Sequence, residues 1–425
     1  MSKSNKYHFK ISFFLSVFCS LSLYAISQTV SLNITNDSTY YPGTKKTYIN
    51  GLNREHFLDA CAIQWLPVKN NFPHWVYIEP MLEQQLVYSD FDRTIRFLAN
   101  SAVVKAYSAS IKTEDGREVY CLEIGNGSKT VIFTAGVHAR EVANPQFMLN
   151  FAIRIVSDYE NGSLDIKDIL SKVKLVILPC VNPDGYNAAI LGNSAINNKA
   201  LFIANLPDSR VKQGKSNARG VDLNRNFPTY SAALLWENQK ERHSLIRKER
   251  SSLYFSGDSL GSENETKIAM NFLIKYIPTA VRFVDFHSAG SIVYAGKPHL
   301  SDAFNELCFK SGRLIRTYSG YRLLELDDEE TGNGTDGSIT DFAAEIAAGF
   351  IYNPLLGRLA PPDSIRLVQK FNQMKYPCSV NTVETLISLP NDRKTGLAKP
   401  STPQMHLNEW NKRHFYSLML ALLYE

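Results

Sequence analysis

One segment, VKLVILPC (Val173 to Cys180), is apolar almost without interruption over a strand's length, and VRFVDFH (Val281 to His287) reads as another buried strand. A strand with one face in water alternates apolar and polar residues, so an unbroken run requires cover on both faces. Helices provide that cover where strand and helix patterns alternate along a chain. The alternation is present here. DFDRTIRFLANSA, from Asp90, has helical spacing, and VVKAYSASI, REVYCLEIG and KTVIFTAG then read as three strands divided by short turns with Gly or Asp. Asn144 and Pro145 stand as N-cap and first-turn proline of a helix whose apolar positions include Phe147, Phe151 and Ile155. Ser262 and Glu265 have capping-box spacing before a second long helix. The expected fold class is α/β, a three-layer α/β/α sandwich with a mixed, mostly parallel sheet. In such sheets ligands collect at the carboxyl ends of strands, where His138 and His287 fall.

The 425 residues are enough for one large domain and an appendage. Lys3, Lys6 and Lys10 precede an apolar stretch from Ile11 to Ala25, with small residues at Ala25 and Ser27. This is the layout of a secretory leader cleaved near Gln28. The expected organisation is a signal peptide at 1–27, an appendage of unread role at 28–87, and a main domain at 88–425. A secreted, periplasmic or cell-surface location follows from the leader. No later segment is long and apolar enough to span a bilayer, so no transmembrane anchor is expected after cleavage. Three units of the formal charge of +5 belong to leader lysines, which leaves about +2 and gives no support to nucleic-acid binding. A monomer is expected. Of six cysteines, five lie beyond the leader without CxxC spacing, which excludes a cysteine-based metal site but leaves one or two bridges open.

His138 and Glu141 stand three positions apart in TAGVHAREVANP, just after an apolar strand. Hydrolytic zinc sites commonly take two histidines and a carboxylate and leave a position for water. An H-x-x-E turn with a distant strand-end histidine, His287, meets that requirement. Such pairs also arise as ordinary surface contacts, so the surroundings decide.

Those surroundings are GVHAREVANP, NPDGY (Asn182 to Tyr186), GVDLNRNFP (Gly220 to Pro228), GSENETKIA (Gly261 to Ala269), DFHSAG (Asp285 to Gly290), GSITDF (Gly337 to Phe342) and VNTVETL (Val380 to Leu386). In content and order they resemble the zinc carboxypeptidase family, the relatives of carboxypeptidase A, from about Tyr88 to Glu425. The resemblance implies a catalytic domain over 88–425 and one zinc ion held by His138, Glu141 and His287. It implies that Glu384 is the general base that takes a proton from water and passes it to the leaving amine. Asn224 and Arg225 resemble the residues that hold a substrate carboxylate, a role suited to an amide beside a guanidinium fork. Arg140 resembles a contact to substrate farther from the scissile bond.

Several positions depart from the family pattern. The arginine that stabilises the oxyanion has no clean match in DSRVKQGKSNARGVDLNRN; Lys215 is the preferred candidate, with Arg210 and Arg219 as rivals. TGNGTDGS lacks the family's substrate-covering tyrosine, and Ala289 replaces an aromatic residue after His287-Ser288. Asp341 and Glu384 lie 43 positions apart, a gap long enough for an extra helix beginning near Asp363. HSAGSIVYAG, with Tyr294, is similar to a bacterial branch that cleaves γ-D-glutamyl bonds to diamino acids in peptidoglycan stem peptides. The expected substrate is therefore a peptide or a peptidoglycan peptide. Two other classes compete: a non-catalytic peptide- or glycan-binding protein on the same fold, and an acyl amino-acid amidohydrolase.

Overall fold

A computed structural model of the chain describes residues 48–49, 52–53, 63–68, 82–204, 214–237, 246, 248, 254–326, 336–353, 356–360, 378–386 and 402–424. The leader, the Tyr41-Pro-Gly and Asn50-Gly turns, Cys61, Arg210 and the helix expected near Asp363 lie outside the described residues. Contacts divide the chain into two units, Met1–Ala60 and Cys61–Glu425. In the first, Tyr48–Ile49 pairs antiparallel with Leu52–Asn53.

Elements of the second unit are numbered here in order. They begin β1 (Trp65–Pro67), α1 (Tyr88–Leu98), β2 (Val104–Ala109), β3 (Tyr120–Ile124), β4 (Lys129–Ala135), α2 (Ala143–Glu160), α3 (Leu164–Lys172) and β5 (Val173–Leu178). Next come α4 (Pro183–Leu191), α5 (Lys199–Ala204), α6 (Tyr230–Glu237), α7 (Asn264–Tyr276), β6 (Ala280–Ser288), β7 (Ile292–Ala295), α8 (Asp302–Ser319) and β8 (Arg322–Glu325). The last are α9 (Ile339–Ala347), β9 (Ile351–Asn353), β10 (Arg358–Ala360), β11 (Ser379–Thr385), α10 (Pro403–Lys412) and α11 (Phe415–Tyr424).

Among the described residues, nine strands form one mixed sheet in the order β8-β7-β11-β6-β4-β5-β3-β2-β1. Its centre, β11-β6-β4-β5, is parallel throughout, and it contains the near-continuous apolar run of β5. Toward the β1 edge the pairing is antiparallel. The burial behind that centre is mutual. Phe133 of β4 meets Phe151 of α2 at 6.2 Å, and Phe286 of β6 meets Phe415 of α11 at 5.9 Å. Each such ring, withdrawn fully from water, contributes roughly 1.5–3 kcal/mol. Side chains alternate along a strand, so Thr134, Asp285 and His287 point to the opposite face from Phe133 and Phe286. This is how a doubly covered strand can carry both core and chemistry.

Residues 65–67 and 82–87 fall in the second unit, although sequence texture assigns them to the appendage. Trp65 explains the attachment: its indole Nε1 donates to Asn271 Oδ1 at 2.9 Å, and its ring packs edge-on against Phe272. Two helix starts also differ from expectation. Helix α2 follows Val142, and Asn144 lies inside its first turn, because the Asn144 Oδ1 accepts the Thr385 hydroxyl at 2.8 Å instead of capping. Helix α7 follows Glu263, since the Ser262 hydroxyl donates to Glu263 and the Glu265 carboxylate accepts from Asn217. In both places a tertiary partner outcompetes the local cap. Cys121, Cys180, Cys308 and Cys378 are buried free thiols.

Candidate metal centre and substrate cleft

The turn that carries His138 and Glu141 begins at Gly136, where φ is +71° and an added Cβ would lie 2.7 Å from Pro145 Cγ and 3.2 Å from Cys180 Sγ. Only glycine lets the chain leave β4 so close to the start of α2. Neighbouring strand ends hold this turn in place. Val181 and Asn182 donate their amides to Ala135 and Gly136, at 3.0 and 2.9 Å, and the Asn182 side chain reaches the carbonyls of Val137 and Ser216. The Ala139 amide donates to the Lys215 carbonyl at 3.2 Å, so the backbone at Lys215 is fastened to the same turn.

His138, Glu141 and His287 come together, all buried, with potential ligand atoms within 4.8 Å of one another. His138 Nδ1 lies 2.7 Å from Glu141 Oε1, and His287 Nδ1 lies 3.0 Å from Glu141 Oε2 and 3.2 Å from His138 Nδ1. The outward nitrogens face carboxylates as well: His287 Nε2 is 2.6 Å from Asp285 Oδ2, and His138 Nε2 is 3.4 Å from Asp222 Oδ1. Asp285 is held in turn by the Thr134 hydroxyl at 2.6 Å. A proton on Nε2 directed at Asp285 leaves Nδ1 of His287 as the lone-pair nitrogen facing inward, which is how metal-binding imidazoles are oriented.

Charge in this pocket follows the same logic. Burial disfavours ionisation of Glu141, yet the two imidazoles hold its carboxyl well below the usual range. Burial also works against a charged His287, but Asp285 and then Glu141 raise it well above the ordinary imidazole value. Asp222 is held low, against burial, by His138 and then by Arg225 and Lys215. Three buried carboxylates thus surround two imidazoles, an excess of negative charge that suits a divalent cation. The donor set of two nitrogens and a carboxylate is one that zinc accepts.

Glu384 is delivered to this site by strand register. It pairs with His287 across the parallel β11–β6 ladder, so the two side chains share a face. Gly290, which donates its amide to the Leu386 carbonyl at 2.9 Å, lies so near that a Cβ there would be 3.2 Å from Glu384 Cβ. Burial, and next the charge of Glu141, raise the Glu384 carboxyl above its ordinary value. A carboxyl raised in this way is a better proton acceptor than an ordinary carboxylate.

Asn224 and Arg225 are buried side by side in a short turn after Asp222. The Asn224 Oδ1 accepts the Ile339 amide at 3.0 Å, which leaves its Nδ2 hydrogens for another acceptor. Arg225 donates Nη1 to the Asn224 carbonyl at 2.6 Å, and its buried Nε makes no hydrogen bond among the described residues. Lys215 is partly buried, with its ammonium 5.7 Å from the centre of the Tyr254 ring. Its rival Arg219 is engaged elsewhere, 3.0 Å from Asp258 and 3.5 Å from Glu263. Arg140 is partly exposed in the turn between the first two candidate ligands. Sequence reasoning assigned no role to Asp285, Asp222 or Tyr254. Asp285 had a visible signal, being two residues before His287 on one strand and therefore on the same face; the other two need tertiary contacts to be noticed.

The zinc carboxypeptidase family model matches residues 97–311, and the chain belongs to that family. Among curated relatives, the gamma-D-glutamyl-L-diamino acid endopeptidase 1 of Lysinibacillus sphaericus is 28% identical over 236 residues, covering 50% of this chain and 57% of that protein. The human carboxypeptidase N catalytic chain is 27% identical over 172 residues, covering 38% of this chain and 34% of its own length. The matches thus span between a third and three fifths of these relatives. Carboxypeptidase A from Helicoverpa armigera has the same fold, with a TM-score of 0.54, 19% identity, and coverage of 87% of this chain and 79% of that one. No helix among the described residues is long and apolar enough to cross a membrane.

Proposed function

We propose that this chain is an exported zinc metallopeptidase of carboxypeptidase type, which hydrolyses an amide bond near a substrate carboxylate. The observation that carries the reading is the convergence of His138, Glu141 and His287, with Glu384 in register beside His287. One zinc ion held by those three residues would supply a Lewis acid for the scissile carbonyl and lower the pKa of a water molecule. Glu384 accepts a proton from the attacking water and donates it to the departing amine. Arg225, through Nε and its remaining Nη, and Asn224, through Nδ2, bind the substrate carboxylate and set the position of the scissile bond. Lys215 faces the oxygen that becomes negative in the transition state. Arg140 contacts the substrate on the side away from the carboxylate. The leader-like start supports export, and residues 88–425 carry the catalytic machinery in a monomer.

The substrate within this class is argued from one similarity. The Lysinibacillus relative, whose name gives a γ-D-glutamyl-diamino acid bond, matches 50% of this chain. Together with Tyr294 in HSAGSIVYAG, this favours stem peptides of peptidoglycan as a second reading beside linear peptides. The test is hydrolysis of hippuryl amino acids, linear peptides and muropeptides by the wild type and by Glu384→Gln. Loss of the diamino-acid end from muropeptides supports the second reading, and cleaved linear peptides beside intact muropeptides reject it. Glu384→Gln should reduce kcat by about 10²–10⁴-fold, the usual contribution of a general base, with zinc retained. Unchanged turnover would reject the assigned base. A folded, zinc-loaded wild type that hydrolyses none of the three substrate classes would favour the non-catalytic binding protein instead.

A further inference from the structure

We propose that Tyr254 is a positioning residue of this site, holding the Lys215 ammonium and the Arg225 guanidinium in the arrangement that substrate binding requires. The inference rests on the reading of those two cations given above. The Lys215 Nζ lies 5.7 Å, and the Arg225 Cζ 5.6 Å, from the centre of the one Tyr254 ring. Both fall within the range at which a ring quadrupole attracts a cation. Two like charges drawn to one cleft repel, and an aromatic ring within reach of both offsets part of that repulsion.

The backbone around Tyr254 is tied to the site itself. The Asp222 amide donates to the Phe255 carbonyl at 2.8 Å, while the Asp222 carboxylate lies 3.4 Å from His138. The Asn226 side chain donates to the Ser256 carbonyl at 2.6 Å and to the Ser259 carbonyl at 2.9 Å. In DLNRN, therefore, Asp222 and Asn226 fasten the loop that carries Tyr254, and the residues between them, Asn224 and Arg225, face the substrate position. Tyr254 is only partly buried, which distinguishes it from a core-filling ring.

The test uses the full zinc-loaded chain with a hippuryl amino acid and its C-terminal amide. Tyr254→Leu should raise KM for the acid and lower kcat, each about tenfold, as expected for lost cation–π attraction. The amide's KM should change less than twofold, so discrimination between acid and amide shrinks. Tyr254→Phe, which keeps the ring face, should restore both parameters to within twofold of wild type. Equal losses on acid and amide, or a Phe variant as impaired as Leu, would overturn the proposal by making the role merely structural. Tyr254→Met provides the same comparison if the Leu variant loses zinc or fails to fold. If Arg225→Met raises the acid's KM while Tyr254→Leu and Tyr254→Met do not, the positioning role fails and the site reading stands. A zinc-loaded wild type that hydrolyses neither these substrates nor linear peptides nor muropeptides overturns both.

Discussion

Replacing Asp285 by asparagine tests whether the metal ligands are oriented as the geometry implies. Both Asp285 oxygens accept hydrogen bonds, one from His287 Nε2 and one from the Thr134 hydroxyl, each at 2.6 Å. Asparagine preserves size and can still accept from His287, but the bond loses its charge. Charge-assisted hydrogen bonds contribute roughly 1.5–3 kcal/mol against about 0.5–1.5 for neutral ones, so the change removes on the order of 1–1.5 kcal/mol. That corresponds to roughly tenfold weaker zinc binding, at the lower end of the 10–100-fold effects of outer ligand partners. Asp285→Leu removes the acceptor altogether and should approach a hundredfold. Zinc affinity is read by competition with a chromophoric chelator on folded protein, with no substrate present. If Asp285→Asn and Asp285→Leu both bind zinc within twofold of wild type, the inward lone pair of His287 is not what holds the metal.

Gly290→Ala places a Cβ 3.2 Å from Glu384 Cβ, a contact that forces one of the two to move by a few tenths of an ångström. Because proton transfer depends on position, kcat should fall about tenfold with zinc content unchanged; an unaltered kcat would mean that Glu384 does not need this contact. His406 of α10 is buried against Phe147, and burial lowers its pKa to about 4. The unfolded chain therefore binds a proton that the folded chain refuses between the unfolded value near 6.5 and the folded value. This contribution to stability is complete above pH 6.5 and is lost as pH falls toward 4, by about 3 kcal/mol. Urea unfolding at several pH values should show that slope reduced in His406→Met, and identical slopes in the two proteins would remove His406 from the account.

What the sequence made legible was whatever depends on neighbours along the chain. The runs around Val131, Leu175 and Val284 announce doubly covered strands, and they form the parallel centre of the sheet. His138 and Glu141 are visible because three positions of one turn can point at one place. His287 and Glu384 need the family resemblance, since only the β11–β6 register brings them together. The helix starts at Asn144 and Ser262 misled for a related reason. Local capping chemistry is present in both, but Thr385 and Asn217, 241 and 48 positions away from Asn144 and Glu265, take the oxygens first. Tyr254 was hidden similarly: nothing in LYFSG signals that Lys215 and Arg225 share its ring. Between Asp341 and Glu384, the short β9–β10 hairpin escaped notice because strands of three residues carry too little alternation to read.

The most direct measurement is metal stoichiometry by elemental analysis of the purified chain, alongside His138→Ala, Glu141→Ala and His287→Ala variants that remain folded. The account predicts one equivalent of zinc in the wild type and its loss, with hydrolysis, in each variant. Wild-type protein that hydrolyses peptides without zinc, or folded variants that keep a full equivalent, would contradict it.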